Sequence, residues 1–151
     1  MRVVILDTSV LLNVLHMDRL DLIEIVAGDQ RQKLEALYAR KTIEATTLTT
    51  IEELTEFATL SSQMGKGEAA CIALAYFRNA NVALDDRRAF ARARKRLGDG
   101  RLLTTSGLMV LAIRLGLLSI GEADVLKGIL EGHRFKMPFD SFASLFPNEK
   151  G

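Results

Sequence analysis

The chain has no tryptophan, a single cysteine, two prolines and only 6% aromatic residues in 151. The lone Cys71 excludes an intramolecular disulfide framework and fits a reducing compartment. Both prolines, Pro138 and Pro147, fall in the C-terminal tail, so nothing upstream reads as a proline-rich linker. No uninterrupted apolar run approaches the ~20 residues of a membrane span. The N-terminus lacks the basic region and small-residue cleavage site of a signal peptide and opens directly on a strand pattern. These features predict a cytoplasmic protein with no membrane partner. Charge of one sign is also lacking: 20 Lys and Arg oppose 19 Asp and Glu, a net +1. The overall field therefore selects no partner, and any electrostatic argument must be local. Two motifs are missing as well. Gly65-Lys66-Gly67 lacks the register of a phosphate-binding P-loop, and no G-x-S-x-G elbow is present.

What is present is an aliphatic composition, 48% hydrophobic, which argues against disorder. The length suits a single domain over residues 1–151, burying roughly two-thirds of its chain surface. Residues 2–6 read as a buried strand, followed by a helical pattern over 10–17 and a second helical stretch over 20–26 closed near Gly28. Residues 30–40 are polar and helix-compatible. The Thr-rich stretch 41–48 reads as a short second strand. Helices are expected over 51–60 and 68–77, then a third strand at 82–84. A basic amphipathic helix at 89–97, a fourth strand at 102–104 and helices at 108–115 and 120–130 complete the pattern. Strands alternating with helices mean crossover connections and a mainly parallel sheet covered on both faces, an α/β fold. The apolar tail, 135–151, is expected to dock on the domain or on a partner.

Acids recur where strands stop. Val3-Val4-Ile5-Leu6 ends in Asp7, with the hydroxyls of Thr8 and Ser9 next, and Val82-Ala83-Leu84 ends in Asp85-Asp86. Ligands of open α/β sheets bind outside the carboxyl ends of the strands, where an unpaired charge is costly. Asp7 reads equally as a helix N-cap and as a site residue. Glu68 heads a helix rich in small residues that can lie close to the sheet, so its carboxylate needs a cation or strong donors. Side chains of adjacent residues diverge, so Asp85 is favoured for the site and Asp86 for a cap or outer position. Thr50 to Glu53 matches the capping box, which by itself accounts for Glu53; Ser119 to Glu122 repeats that pattern. His16 and His133 match no ligand spacing, and Cys71 reads as a small buried hydrophobe. Oxygen donors alone suit Mg²⁺ or Mn²⁺ rather than zinc. Directly after the acid pair come Arg87, Arg88, Arg92, Arg94, Lys95 and Arg96. A basic run is commonly a solvated helix face, but beside acids it also suits a phosphodiester, with arginines on the phosphates.

These residues resemble a known family. Ile5-Leu6-Asp7-Thr8-Ser9-Val10-Leu11-Leu12 is similar to the opening of the PIN-domain nucleases. GKGEAACIALA, from Gly65 to Ala75, and VALDDRR, from Val82 to Arg88, resemble that family's two later acidic motifs. The stretch 103–118, with Thr105, Gly107 and Arg114-Leu115-Gly116-Leu117, resembles a subgroup related to VapC-type toxins. The resemblance implies a three-layer α/β/α PIN-like fold and a Mg²⁺- or Mn²⁺-dependent endoribonuclease. Asp7, Glu68 and Asp85 or Asp86 match the family's metal-binding acids, Thr8 or Ser9 its supporting hydroxyl, and Glu53 its further acid. Arg87, Arg88 and Arg92 are the matching candidates for RNA contact. It also implies a small antitoxin partner and a homodimer. Two other classes fit parts of the pattern: a PIN-like module that binds RNA or protein without cutting, and a receiver-like phosphoacceptor. The latter normally needs a Lys at the end of a late strand, where this chain has Leu103-Thr104-Thr105-Ser106.

Overall fold

The computed structural model describes residues 4–19 and 46–148. Among these, six α-helices and three short strands form an α/β fold in the order β1 (Val4–Leu6), α1 (Thr8–His16), α2 (Ile51–Ser61), α3 (Lys66–Phe77), β2 (Asn81–Ala83), α4 (Arg87–Leu97), β3 (Leu102–Leu103), α5 (Thr105–Arg114) and α6 (Ile120–Gly132). Short 3₁₀ turns occupy Asp99–Arg101 and Phe142–Leu145. The sheet order is β1-β2-β3, with both pairings parallel. The expected helices within 20–40, the start of β1 at residue 2 and most of the expected strand over 41–48 lie outside the described residues.

Strand register explains the layering. Ile5, Val82 and Leu102 stand in one row across the sheet, and Leu6, Ala83 and Leu103 in the next. Successive side chains on a strand point to opposite faces. Accordingly Ile5, Val82 and Leu102 pack with Leu60, Ile72, Leu74, Ala89 and Ala93, a core built with α2, α3 and α4. Leu103 packs instead with Val14, Met109, Ala112, Leu130 and Phe142, a core built with α1, α5, α6 and the tail. One apolar core on each face of a parallel sheet makes a three-layer α/β/α arrangement.

The helices follow from local chemistry. In α1, Val10, Asn13, Val14 and then Met17 recur at helical spacing and are all buried. Helix α3 is apolar nearly all round, and it is buried accordingly: it packs on α2, α4, β1 and β2. In α4 only the small Ala89 and Ala93 are fully buried, which lets the helix approach the sheet closely while its arginines stay outside. Gly98, at φ 82°, ends α4 in a conformation that side-chain-bearing residues rarely adopt. The Arg101 guanidinium donates to the carbonyls of Ala75 and Ala80, tying the C-terminal end of α3 to the segment before β3. In the tail, Ser141 Oγ and Phe142 N donate to Asp124 of α6 at 2.7 and 2.8 Å, and Phe142 is fully buried. The His16 and His133 rings stack at 3.7 Å where α1 and α6 end.

Several boundaries differ from the sequence expectation. Helices α1, α3, α4 and α5 begin two or three residues earlier than their apolar periodicity suggests. Asp7, Asp86 and Thr104 accept hydrogen bonds from the first-turn amides of α1, α4 and α5, so polar residues make up those first turns. Thr104 is thus a cap, not the last residue of a strand. Leu84 lies one residue beyond β2, yet its amide still donates to Leu103 O at 2.9 Å. Residues 46–49 are irregular. Arg78 holds them, donating to Thr46 Oγ1 at 2.6 Å and to Thr47 O at 2.7 Å.

Candidate functional site

The parallel strands end together. Asp7 N donates to Ala83 O at 3.1 Å, carrying the ladder one residue past β1. Neighbouring strands lie ~4.8 Å apart, so Asp7 and the segment leaving β2 emerge side by side. Helices α1, α4 and α5 all start at this edge, directly after a strand. Helix α3 brings its N-terminus here too: a Cβ on Gly67 would lie 3.5 Å from Asp7 Oδ1. Four helix N-termini therefore surround the strand ends, and their partial positive charge favours carboxylates or phosphate.

Asp7 is buried and caps α1. Its Oδ2 accepts from Ser9 Oγ at 2.6 Å and from Ser9 N at 3.4 Å. Oδ1 takes no hydrogen bond among the described residues. Ser9 is thus the hydroxyl that touches the first acid, although it and Thr8 are both exposed. Glu68, in the first turn of α3, is half-buried and folds back over its own cap residue. A Cβ on Gly65 would sit 2.0 Å from Glu68 Oε2, so only glycine leaves room for that carboxylate. Asp7 and Glu68 share surroundings with Cys71. Burial first, and then the negative charges of Asp7 and Glu68, push its thiol up to about 12.

The two adjacent aspartates separate as their geometry requires. Asp85 turns inward: its Oδ1 accepts from Thr105 N at 2.8 Å, and its Oδ2 from Thr105 Oγ1 at 2.7 Å and Asn13 Nδ2 at 3.0 Å. Asp86 turns outward, is exposed and caps α4 through Ala89 N at 2.8 Å. Asn13 stands outside every motif named from the sequence, whereas Thr105 belongs to the 103–118 stretch that carries the family resemblance; the structure brings both to Asp85. A signal for Asn13 exists in the sequence: an amide on the buried face of an apolar helix needs a polar partner.

Glu53 stands elsewhere. It completes the capping box of α2, accepting from Thr49 N at 2.7 Å and Thr50 N at 3.4 Å, and it pairs with Arg78 Nε at 2.9 Å. The Arg78 hydrogen bond first, and the amide donors next, hold its carboxyl down at about 2. Arg78 follows the last turn of α3, whereas Glu68 is in the first; at ~1.5 Å per residue these positions are about 15 Å apart. In the structure Glu53 therefore has a capping and ion-pairing role, with its partner Arg78 at the opposite end of α3 from Glu68.

The basic helix divides in the same way. Arg96 pairs with Glu56 at 2.7 Å and lies 3.6 Å over the Tyr76 ring. Arg94 pairs with Asp99 at 2.7 Å, and Arg92 donates to Gln63 Oε1. Arg87 and Arg88, at the head of α4 beside Asp86, are exposed and make no ion pair with any described residue. Of the three arginines expected to meet RNA, these two have no ion-pair partner among the described residues, and Arg92 hydrogen-bonds Gln63 at the surface.

Among the described residues no three His, Cys, Asp or Glu side chains stand close enough together to hold a metal ion by themselves. The donor chemistry still suits Mg²⁺, which commonly takes one or two carboxylates and completes its shell with water and substrate phosphate. Asp7 and Asp85 each keep acceptor capacity on Oδ1, and Glu68 stands on the Asp7 side of the edge. A scan against protein-family models and searches of curated proteins and of solved structures returned no match.

Proposed function

We propose that this chain is a divalent-metal-dependent endoribonuclease of PIN type, acting as the toxin of a toxin–antitoxin pair. The observation that carries the proposal is the strand edge itself: Asp7 and Asp85 leave adjacent parallel strands, Glu68 is in the first turn of the helix whose N-terminus meets Asp7, and the next helix begins with two arginines that make no ion pair among the described residues. Asp7, Asp85 and Glu68 would hold Mg²⁺ or Mn²⁺ together with water and a substrate phosphate. The bound ion supplies an acidified water and neutralises charge on the phosphoryl oxygens. Arg87 and Arg88 hold flanking phosphates, and the surrounding helix N-termini favour the same anions. Ser9 fixes the Asp7 carboxylate so that Oδ1 remains available. A cytoplasmic location, a small antitoxin and a homodimer belong to the same reading; among the described residues no helix is long and apolar enough to cross a membrane.

A second reading has one observation in its favour. The described acids form no ready three-ligand cluster. A PIN-like module that binds RNA or protein without cutting it would keep the free arginines of α4 and have no need of such a cluster.

Incubation of a long structured RNA with the protein in Mn²⁺, Mg²⁺ or EDTA separates the two. The nuclease reading predicts cutting with either metal, none in EDTA, and products bearing a 5′-phosphate and a 3′-hydroxyl. A 2′,3′-cyclic phosphate end would mean attack by the ribose hydroxyl and would remove metal-activated water from the account. RNA binding with no cleavage in any metal would select the module.

A further inference from the structure

Asn13 and Thr105 come from separate helices, α1 and α5, and meet only at Asp85. Both are at least nine-tenths buried: Asn13 is 6% exposed and Thr105 0%. Polar groups at such depth are unfavourable unless bonded, and residues of similar shape without polar atoms would serve a core at least as well. Their hydrogen bonds run in one direction. Asn13 Nδ2 donates to Asp85 Oδ2 at 3.0 Å and to Thr105 Oγ1 at 3.3 Å. With its acceptor side taken by Asn13, the Thr105 hydroxyl points its proton at Asp85 Oδ2, 2.7 Å away. Thr105 N fixes the other oxygen at 2.8 Å. A carboxylate has about four acceptor positions. Two donors meet Oδ2 and one meets Oδ1, so the remaining position is on Oδ1.

Resting on the reading of Asp85 as a metal ligand, we propose that Asn13 and Thr105 are positioning residues. They lock the Asp85 carboxylate so that it meets a divalent cation through Oδ1 alone. They also settle which member of the Asp85-Asp86 pair serves the site, since Asp86 meets neither of them.

The test is Mn²⁺ binding to the full chain, with no RNA present, followed by electron paramagnetic resonance of the free ion. Thermal melting of each variant confirms its fold. Loss of a partner that orients a ligand typically weakens metal binding ~10–100-fold, so Thr105→Val should show a loss of that size and Thr105→Ser should stay within about threefold of wild type. Asn13→Leu should also weaken binding, and it carries the test if Thr105→Val does not fold. Wild-type affinity in both Thr105→Val and Asn13→Leu, with tight binding by the parent, would overturn the positioning role and leave the nuclease proposal standing. No Mn²⁺ binding by the parent chain, either alone or in a repeat with RNA present to supply phosphate, would overturn both.

Discussion

At the residue scale, the carboxylates of this chain divide into those that complete local structure and those left with spare acceptor capacity. Glu53 is of the first kind. Its carboxyl titrates near 2 in the folded chain against an ordinary value of 4.5, because Arg78 and two amides favour the charged form. The stability it provides is therefore fully present above pH ~4.5 and is lost as pH falls towards 2. Glu53→Gln should lower the melting temperature by several degrees at neutral pH and by much less near pH 2, while leaving RNA cleavage unchanged; thermal melts across that range check it. Glu68 is of the second kind, and Gly65 guards its position. In Gly65→Ala the new methyl group would occupy the place of Oε2, the mobile end of a flexible side chain, so the carboxylate moves and the fold stays. A misplacement of ~1 Å can cost about 100-fold in rate, and cleavage should fall by that order with little change in the melting temperature. Asp7 and the Asp85-Asp86 pair are legible from sequence because a strand that ends in acid is a short, local pattern. Asn13 is legible only in part: an amide on a buried helix face signals a need for a polar partner, but that partner lies 72 positions away, and only the folded sheet edge brings α1 to β2.

At the element scale, helix α4 shows how an unpaired charge differs from a counted one. The sequence presents six basic residues in a row of turns, and nothing local tells them apart. Folding pairs Arg94 with Asp99 and Arg96 with Glu56, and leaves Arg87 and Arg88 at the helix head. The double variant Arg87→Ala/Arg88→Ala should weaken single-stranded RNA binding and reduce the slope of log K against log salt by about 1.4, at ~0.7 for each phosphate that is no longer neutralised. Arg96→Ala should leave that slope unchanged and lower stability instead; a salt titration of both variants distinguishes these outcomes. The starts of α1, α4 and α5 differ from expectation by two or three residues because a polar cap and a polar first turn precede the apolar repeat, and periodicity marks only the buried face. The Thr-rich segment before α2 is strand-like by composition, but at residues 46–49 the Arg78 guanidinium engages its hydroxyls and a carbonyl.

At the scale of the whole molecule, alternation along three very short strands sends two rows of side chains into two separate cores, and those cores fix the strand ends where the acids stand. Phe142 is the largest fully buried side chain among the described residues, so the tail is part of one of those cores. Phe142→Ala should cost about 3–5 kcal/mol, a large share of the ~5–15 kcal/mol that stabilises a typical domain, measurable by denaturant unfolding. The α/β class is legible because strand and helix patterns alternate along the chain. Cover on both faces of the sheet is legible for the same reason; which row of side chains enters which core is not, because it depends on register. The central claim is that the acids of this edge serve a metal-dependent cut, and the most direct measurement uses Asp7→Asn. Asparagine caps a helix about as well as aspartate, so the fold and α1 should survive while the charge disappears. The expected result is a wild-type melting curve together with RNA cleavage in Mn²⁺ reduced to the EDTA background. Cleavage at the wild-type rate by the folded Asp7→Asn protein would contradict the claim.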